Sequence, residues 1–512
     1  MDTAAPARYL SVFDELLARR EEHIRLCAGG GKDRISELPD DLLHLVLRRL
    51  DTRSALATAA LSKRWAHLHR DLPALEFRVT DVIPQSDRYH WYLHRRRTLG
   101  ERRRPVRDST LNKFDVIIGR YERHAMRSLA SSVNSLLDAD NGGEARRRYQ
   151  RMILEVFPTH NSGYMNRLIA TAIADWEVQD LEVTVLDTTS SHNGMGYRFP
   201  HHCFDDTMFP AGCSLKTLKL TNCTPLEAVA GGELQPPRVF GSLTVLVLQG
   251  MPRSTRNGVY EGVVHACPRL EVLHLRSCSF REKSLSIDAP CSPVKELLID
   301  DCDIDMVYLR SLPRLERPAC VGGEPVEFSF GAVPRLASLS LSFYADVNER
   351  TWYTTLMGMR NEYPLFNFLN RLPELDSLML RLTGPERWLV PIGLKADSPL
   401  SKLRRLLVAD MPSSWDLTWT RYLLEAAPAL ETMHIHVASG TASPGRRVAW
   451  PPAEFKHRAL RELVIVGYKP SERQHEEFVS LMRSTCVALR DVALLERGHV
   501  RDKGLWDWEL MT

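Results

Sequence analysis

The segment FPHHCFDD, residues 199–206, brings together four side chains that could ligate a metal ion: His201, His202, Cys203 and Asp205. Imidazole, thiolate and carboxylate groups all bind zinc, but structural zinc sites draw them from two spaced pairs. No second pair stands at the usual spacing, and the cysteines of this chain never come closer together than ten residues. The sequence therefore predicts an ordinary loop between repeats at this position, with no metal.

Other candidate binding and catalytic motifs also lack the sequence context that their chemistry requires. AGGGKD, residues 28–33, is glycine-rich like a phosphate-binding loop, but it has neither the four-residue spacer, nor Ser/Thr after the lysine, nor a preceding apolar strand. It is predicted to be a flexible linker. Because the chain shows no GxSxG, no HExxH and no paired carboxylates in a recognisable context, we expect no catalytic residue and no cofactor. Its chemistry is expected to be non-covalent binding.

Composition sets the class of protein. The 512 residues are 44% apolar and 26% charged with a formal net charge of +3, which gives no global argument for nucleic acid or membrane. No apolar run approaches the ~20 residues of a membrane helix, so no membrane partner is expected. The N-terminus lacks the uninterrupted apolar stretch of a secretory signal. We expect reduced thiols and a location in the nucleus and/or cytoplasm.

Arginines are concentrated in residues 81–165, in LHRRRTLGERRRPVR and EARRRYQR, on either side of a helix-like stretch. They could form a solvated linker surface, a nuclear address or a contact with nucleic acid. No aromatic stacking pattern or base-reading motif accompanies them, which disfavours nucleic acid as a partner. The region is predicted to be a basic linker, partly disordered.

Residues 33–80 contain an apolar stripe at helical spacing, formed by Leu42, Leu43, Val46, Leu47 and Leu50. A proline at the first turn, two aspartates after it and two arginines at the end favour a helix. Asp51 or Thr52 can cap a second helix, and LSKRW forms a third short element. A unit of about 40 residues is too small to bury this stripe alone, so it docks on the rest of the chain or on a partner.

The run DRIS-LP-LL, the spaced leucines and LSKRW together resemble the F-box of plant F-box proteins. This resemblance implies contact with a Skp-type adaptor and, through the adaptor, with a cullin. One departure is Asp51, where many relatives have proline. The residues that the resemblance assigns to the adaptor are Leu38, Pro39, Leu42, Leu43, Val46, Leu50, Leu61 and Trp65.

An L-x-x-L-x-L pattern recurs through the C-terminal two-thirds, from LKTLKL at Leu215 to LRDVALL at Leu489, mostly every 24 to 30 residues. This is the period of leucine-rich repeats. A degenerate repeat, LERPAC at Leu315, divides one double-length gap, and VQDLEVTV from Val178 supplies a first strand, which gives about twelve units. A longer gap holds an excursion at residues 343–371 that could be a binding element.

The predicted fold is α/β: N-terminal all-α F-box helices, then a leucine-rich-repeat solenoid over residues 166–500, with short parallel strands on the concave face and helices on the convex face. Residues 1–32 are assigned to an N-terminal helix and linker. Residues of about 455–498 resemble the FBD-type module of plant F-box proteins. Target-binding residues are expected on the concave face: Lys216, Lys219, His274, Arg404, Arg405, His434 and His436.

This organisation predicts a non-catalytic receptor subunit of a Skp-cullin-F-box ubiquitin ligase, whose repeats bind an unknown target protein. Cys486 falls in the helix of the last repeat, so no ubiquitin-transfer cysteine is evident. Two alternatives remain open. One is a repeat scaffold not engaged in a ligase, and the other is a small-molecule co-receptor, as in plant F-box proteins that bind a hormone together with an inositol phosphate.

Overall fold

The computed structural model divides into two units, residues 1–73 and 74–512. It describes residues 38–50, 52–58, 63–68, 74–100, 108–140, 149–158, 163–186, 197–199, 214–224, 238–253, 255–344, 363–364, 375–384, 389–390, 400–413, 415, 417–438, 455–502 and 505–511.

The first unit is helical. Its described elements are α1 (Asp40–Leu47), α2 (Thr52–Ala57) and α3 (Lys63–Leu68). Pro39 precedes α1 in an extended conformation, and Asp40 and Asp41 occupy the first turn, where negative charge interacts favourably with the helix dipole. The helices predicted from the leucine spacing and the F-box that the resemblance implied are both confirmed. The unit ends at Pro73, seven residues earlier than the predicted boundary at residue 80.

The second unit is built on one large sheet. In the described residues, fourteen strands follow each other in chain order and every neighbouring pair is parallel. Numbering all strands of the chain in sequence, the members of this sheet are β1 (Ala74–Arg78), β2 (Arg151–Val156), β3 (Asp180–Val185), β5 (Thr217–Thr221), β7 (Val245–Gln249), β8 (Val272–Arg276), β10 (Glu296–Asp300), β12 (Arg317–Gly322), β14 (Ser338–Tyr344), β16 (Ser377–Thr383), β18 (Arg405–Pro412), β19 (Thr432–Ala438), β20 (Glu462–Val466) and β21 (Asp491–Leu495).

Every strand predicted from the leucine pattern lies in this sheet, including the degenerate one at LERPAC, which is β12. The side chains alternate along each strand, as in β5, where Leu218 and Leu220 are buried and Lys219 between them is partly exposed. The leucines of successive strands stack into one core. We call the opposite side of the sheet, which carries the intervening residues, the open face.

The sheet starts earlier than the sequence predicts. β1 lies within the range assigned to the F-box and β2 within the range assigned to a partly disordered linker, yet both pair in register with the repeats. The predicted start of the solenoid at residue 166 is therefore corrected to residue 74. Neither strand carries the L-x-x-L-x-L pattern, but the alternate residues Leu75 and Phe77, and Met152 and Leu154, are buried just as the leucines are.

Between β1 and β2 the chain forms a pair of helices, α4 (Ser86–Gly100) and α5 (Asp108–Asp140). Aromatic rings pack between the two helices, where the ring centroids of Tyr92 and Phe114 are 6.1 Å apart. Arg96 of the first helix also pairs with Asp115 of the second at 3.0 Å. Tyr89 approaches Phe157, directly after β2, at 6.0 Å. The described part of the predicted linker is thus an ordered insertion, which packs through Tyr89 against the residue that follows β2.

The return segments behind the sheet depend on repeat length. Helices occur in the longer repeats, as α6 (Gly163–Ala174), α7 (Asn257–Ala266), α8 (Arg421–Ala426) and α9 (Arg473–Thr485). In the repeats of 21 to 24 residues, a second parallel sheet replaces them, formed by β9 (Ser284–Asp288), β11 (Met306–Ser311) and β13 (Glu327–Ala332). An extended strand spans the same distance with fewer residues than a helix, which explains the substitution.

The described residues also contain shorter elements. They are the two-residue strands β4 (Tyr197–Arg198), β6 (Cys223–Thr224), β15 (Tyr363–Pro364) and β17 (Leu389–Val390), the 3-10 helices Val79–Val82, Arg238–Ser242 and Leu417–Thr420, and a C-terminal antiparallel pair, β22 (His499–Asp502) and β23 (Trp508–Met511). We call residues 499–511 the C-terminal hairpin. Of the predicted excursion at residues 343–371, the structure describes Phe343 and Tyr344, which end β14, and β15; the rest lies outside the described residues.

Candidate functional site

The first helix of the F-box is fixed by its neighbour α3. The backbone N–H of Leu43 donates to the carbonyl of Pro39 at 3.1 Å and closes the first turn. The guanidinium of Arg64, from α3, donates to a carboxylate oxygen of Asp40 at 2.7 Å and to the carbonyl oxygen of Leu38. Because one cation binds both a side chain and a carbonyl before the helix, the start of α1 and α3 are held together.

Two apolar rows run along α1, and one is buried while the other is exposed to solvent. Leu43 and Leu47, one helical turn apart, are fully buried. The adjacent row stays in solvent: Leu42, Leu45, Val46 and Leu50 are between 40% and 54% exposed. We call these four side chains the exposed stripe. Large apolar groups clustered at a surface are typical of a protein interface.

The exposed stripe differs from the set predicted from sequence. Leu42, Val46 and Leu50 are in it, Pro39 is exposed beside it and Leu38 is half-buried. Leu43 and Trp65 are buried within the chain and are removed from the predicted contact set, because a side chain packed in the core is not free to meet a partner. Leu45 was missed, although it lies three residues after Leu42. Leu61 lies outside the described residues.

The early strands carry paired charges on the open face. Lys219 donates to Glu182 of the preceding strand at 2.7 Å, and Glu182 also lies 3.5 Å from Arg151. Lys216, just before β5, donates to the side-chain oxygen of Gln179 at 3.1 Å. His274 is 2.8 Å from Glu296 on the next strand of the sheet. These predicted target-binding residues are accessible in part, and most of their charge is balanced by neighbouring strands.

The later strands carry the other predicted residues. The guanidinium of Arg405 lies 4.6 Å from the ring centre of Trp508 in the C-terminal hairpin, and His434 binds the same tryptophan. Arg404 points to solvent and is 3.8 Å from Asp376. Arg405 and His434 are therefore engaged by the chain's own C-terminus.

His436 belongs to a compact charged cluster. Its Nδ1 lies 2.7 Å from Asp410, whose other carboxylate oxygen is 2.6 Å from Arg381. The hydrogen bond from His436, together with the positive charge of Arg381, lowers the pKa of the Asp410 carboxyl below its ordinary value. A β-bulge between Val408 and Met411 turns Asp410 towards both partners. The cluster itself contains no serine, threonine or cysteine that could act as a nucleophile.

The basic residues do not converge. Lys216 and Lys219 lie at or just before β5, and Arg404 and Arg405 at or just before β18, seven strand steps away in the sheet order. At ~4.8 Å per step this is roughly 34 Å along the sheet. A small polyanion cannot contact both pairs at once.

The described residues contain no cluster of three or more potential metal-ligating side chains. FPHHCFDD lies outside them beyond Phe199, and so does AGGGKD. No described helix is long and apolar enough to cross a membrane.

Comparisons with known proteins agree with this architecture. The F-box domain family matches residues 35–73. F-box/FBD/LRR-repeat protein At5g56420 of Arabidopsis thaliana is 24% identical over 481 residues, which cover 90% of this chain and 99% of that protein.

Two other relatives from the same plant match over shorter segments. F-box protein At5g03100 is 44% identical over 59 residues, 12% of this chain and 19% of its own length. F-box/FBD/LRR-repeat protein At3g52680 is 46% identical over 68 residues, 13% of this chain and 14% of its own length. In these two matches the chain covers less than a fifth of the relative.

The chain thus carries an F-box domain at its N-terminus, followed by a long parallel sheet of leucine-rich repeats. Its homologues are the F-box/FBD/LRR-repeat proteins of Arabidopsis. F-box domains generally bind Skp-type adaptors.

Proposed function

We propose that the chain is the substrate-recognition subunit of a Skp-cullin-F-box ubiquitin ligase. The F-box binds a Skp-type adaptor, the repeat sheet binds a target protein, and a cullin joins both to the ubiquitin-transfer machinery. The observation that carries the proposal is the exposed stripe, which the folded F-box leaves in solvent. The subunit itself performs no bond chemistry. It raises the effective concentration of a target lysine near the transferring enzyme.

A co-receptor for a hormone and an inositol phosphate is less well supported. That function needs several cations around one pocket, and the basic residues expected there are paired with acids or far apart. A scaffold outside any ligase differs from the proposal at one point, which is binding of the adaptor.

Co-purification with a plant Skp-type adaptor tests the proposal. The test variant is Leu42→Ala/Val46→Ala, which shortens two side chains of the exposed stripe without touching the buried row. The matched control is Val116→Ala/Val487→Ala, two exposed valines in the second unit. We expect wild type and control to bind and the stripe variant to lose binding while keeping its circular dichroism spectrum. Absence of binding by wild type, or equal binding by the stripe variant, contradicts the proposal.

A further inference from the structure

The C-terminal hairpin lies on the open face of the sheet. β22 and β23 pair only with each other among the described strands and add no strand to the repeat sheet. Their contacts are made by side chains from the region between β12 and β19. We call this region the covered face. It lies within the surface where the repeat pattern placed target-binding residues.

The first contact is made by Trp506. Its indole N–H donates to the carbonyl of Pro318, in β12, at 3.0 Å. The guanidinium of Arg317, the preceding residue of the same strand, lies 5.3 Å from the ring centre, within the range of a cation–π contact. One tryptophan is thus held by a hydrogen bond at its edge and by a cation near its ring.

The second contact repeats this chemistry at Trp508. Its indole N–H donates to Nδ1 of His434 at 3.1 Å, and the guanidinium of Arg405 lies 4.6 Å from its ring centre. His434 Nδ1 accepts this bond, so the proton of the neutral ring is assigned to Nε2, which donates to Glu462 at 2.9 Å. Glu462 therefore fixes the tautomer that can receive an indole.

Below Trp508 the covered face is apolar. Met379, Leu407 and Ala409 form a buried cluster with this ring, and Val500 of β22 packs against them. At the equivalent central position the earlier strands carry polar and apolar side chains by turns, such as Lys219 in β5, Val247 in β7 and His274 in β8. An apolar floor between two arginines is suited to flat aromatic side chains and is costly to leave in water.

The hairpin presents its side chains as an extended ligand does. Trp506 and Trp508 are two residues apart and both contact the sheet, whereas Asp507 between them is exposed. Because both indoles contact the sheet and the residue between them does not, Trp-x-Trp is the recognised element.

We propose that the covered face is a recognition site for a segment carrying two tryptophans in a Trp-x-Trp arrangement, and that the C-terminal hairpin occupies it as an internal ligand. This rests on the proposed function, in which the repeats bind a target. A target segment of the same chemistry competes with the hairpin for both indole contacts. The apparent affinity for the target is reduced by the fraction of molecules in which the hairpin is seated.

The test uses full-length protein and a fluorescein-labelled peptide with the sequence of residues 499–511, measured by fluorescence anisotropy. The variant Trp506→Ala/Trp508→Ala removes both indoles of the hairpin and leaves their contact sites on the sheet unoccupied. We call it the vacated variant. We expect this variant to bind the peptide at least about tenfold more tightly than wild type, because its site is no longer occupied. Trp91→Ala, which removes an exposed tryptophan of α4, is the matched control and is expected to behave as wild type.

Two further measurements establish that the peptide uses the inferred contacts. A peptide with both tryptophans replaced by alanine is expected not to bind. Adding Arg405→Ala and His434→Ala to the vacated variant is expected to remove the gain. If the vacated variant is folded and binds the peptide no more tightly than wild type, the inference is overturned and the hairpin is a fixed cover.

Wild-type protein gives an independent result if the vacated variant does not fold. Excess unlabelled peptide is expected to speed hydrogen exchange in residues 499–511 without changing exchange in β20, because the peptide displaces the hairpin alone. Unchanged exchange in the hairpin at saturating peptide contradicts the inference. Adaptor co-purification of the same proteins is measured in parallel. If the folded vacated variant does not bind the peptide but still binds the adaptor, the recognition site is refuted and the ligase proposal stands.

Discussion

Glu122 in the α4/α5 insertion makes the stability of this region depend on pH. Its side chain lies between the helices, 6% exposed, and the hydroxyl of Tyr89 is 3.4 Å from one of its oxygens. Burial disfavours the charged form and raises the pKa of Glu122 from 4.5 to about 7. The folded insertion therefore retains a proton that the unfolded chain has released.

The sign follows from proton binding. Between pH 4.5 and about 7 the folded state binds more protons at Glu122 than the unfolded state does, so the free energy of unfolding falls as pH rises. The contribution is fully present below pH 4.5 and is lost above pH 7. The difference between the two pKa values corresponds to roughly 3 kcal/mol. Glu122→Gln keeps the size of the side chain and removes the charge, so we expect it to restore most of this free energy at pH 8.

The assay is hydrogen exchange of residues 86–140, expressed as protection relative to the unfolded peptide at each pH. Wild type is expected to lose protection between pH 5 and pH 8, and Glu122→Gln is expected to keep it. Glu477→Gln, an exposed glutamate of α9 paired with Arg473, is the control and is expected to follow wild type. An equal loss of protection in wild type and Glu122→Gln would refute the assignment of this carboxyl.

Two predictions concern the C-terminal repeats. Gly467 has φ +80°, and a Cβ there would lie 2.2 Å from the carbonyl oxygen of Val437, so Gly467→Ala should destabilise by at least ~1–2 kcal/mol from the left-handed backbone alone. Urea unfolding measures this, and an unchanged midpoint contradicts it. His457 accepts from the N–H of Leu460 and donates to the carbonyl of Ala427, which also accepts from the N–H of Leu430. His457→Leu therefore leaves the Leu460 N–H unpaired and should cost roughly 1–3 kcal/mol. Because burial lowers the pKa of His457, its neutral form stabilises the wild type above pH 6.5 and this contribution is lost on acidification; a variant with the same acid sensitivity as wild type would exclude this origin.

The repeat sheet was largely predictable, because its signal is local. Alternating leucines at a fixed spacing must lie on one side of a strand, and each unit must stack to bury them, so even the degenerate LERPAC segment was identified. β1 and β2 were not predicted because their sequences, ALEFR and RMILEV, are too irregular to show the leucine pattern of the repeats. A long helical insertion separates them, and only pairing with β3 gives them their place.

The F-box shows where periodicity stops being informative. Helical spacing puts Leu42 and Val46 on one row and Leu43 and Leu47 on the next, but both rows are equally apolar. Which row is buried depends on packing within the folded unit. The sequence therefore predicted the helix and its apolar rows, and it assigned to the adaptor contact some side chains that the structure buries in the core.

The sequence by itself determined the two classes of element, the apolar helices and the leucine strands, since hydrophobic periodicity acts over a few residues. Tertiary structure decided which part of the open face is free. The hydrogen bond from Trp506 to Pro318 joins residues 188 positions apart, and no local pattern relates them. Such a contact forms only after the intervening repeats have stacked, because their stacking brings the covered face and the C-terminus together.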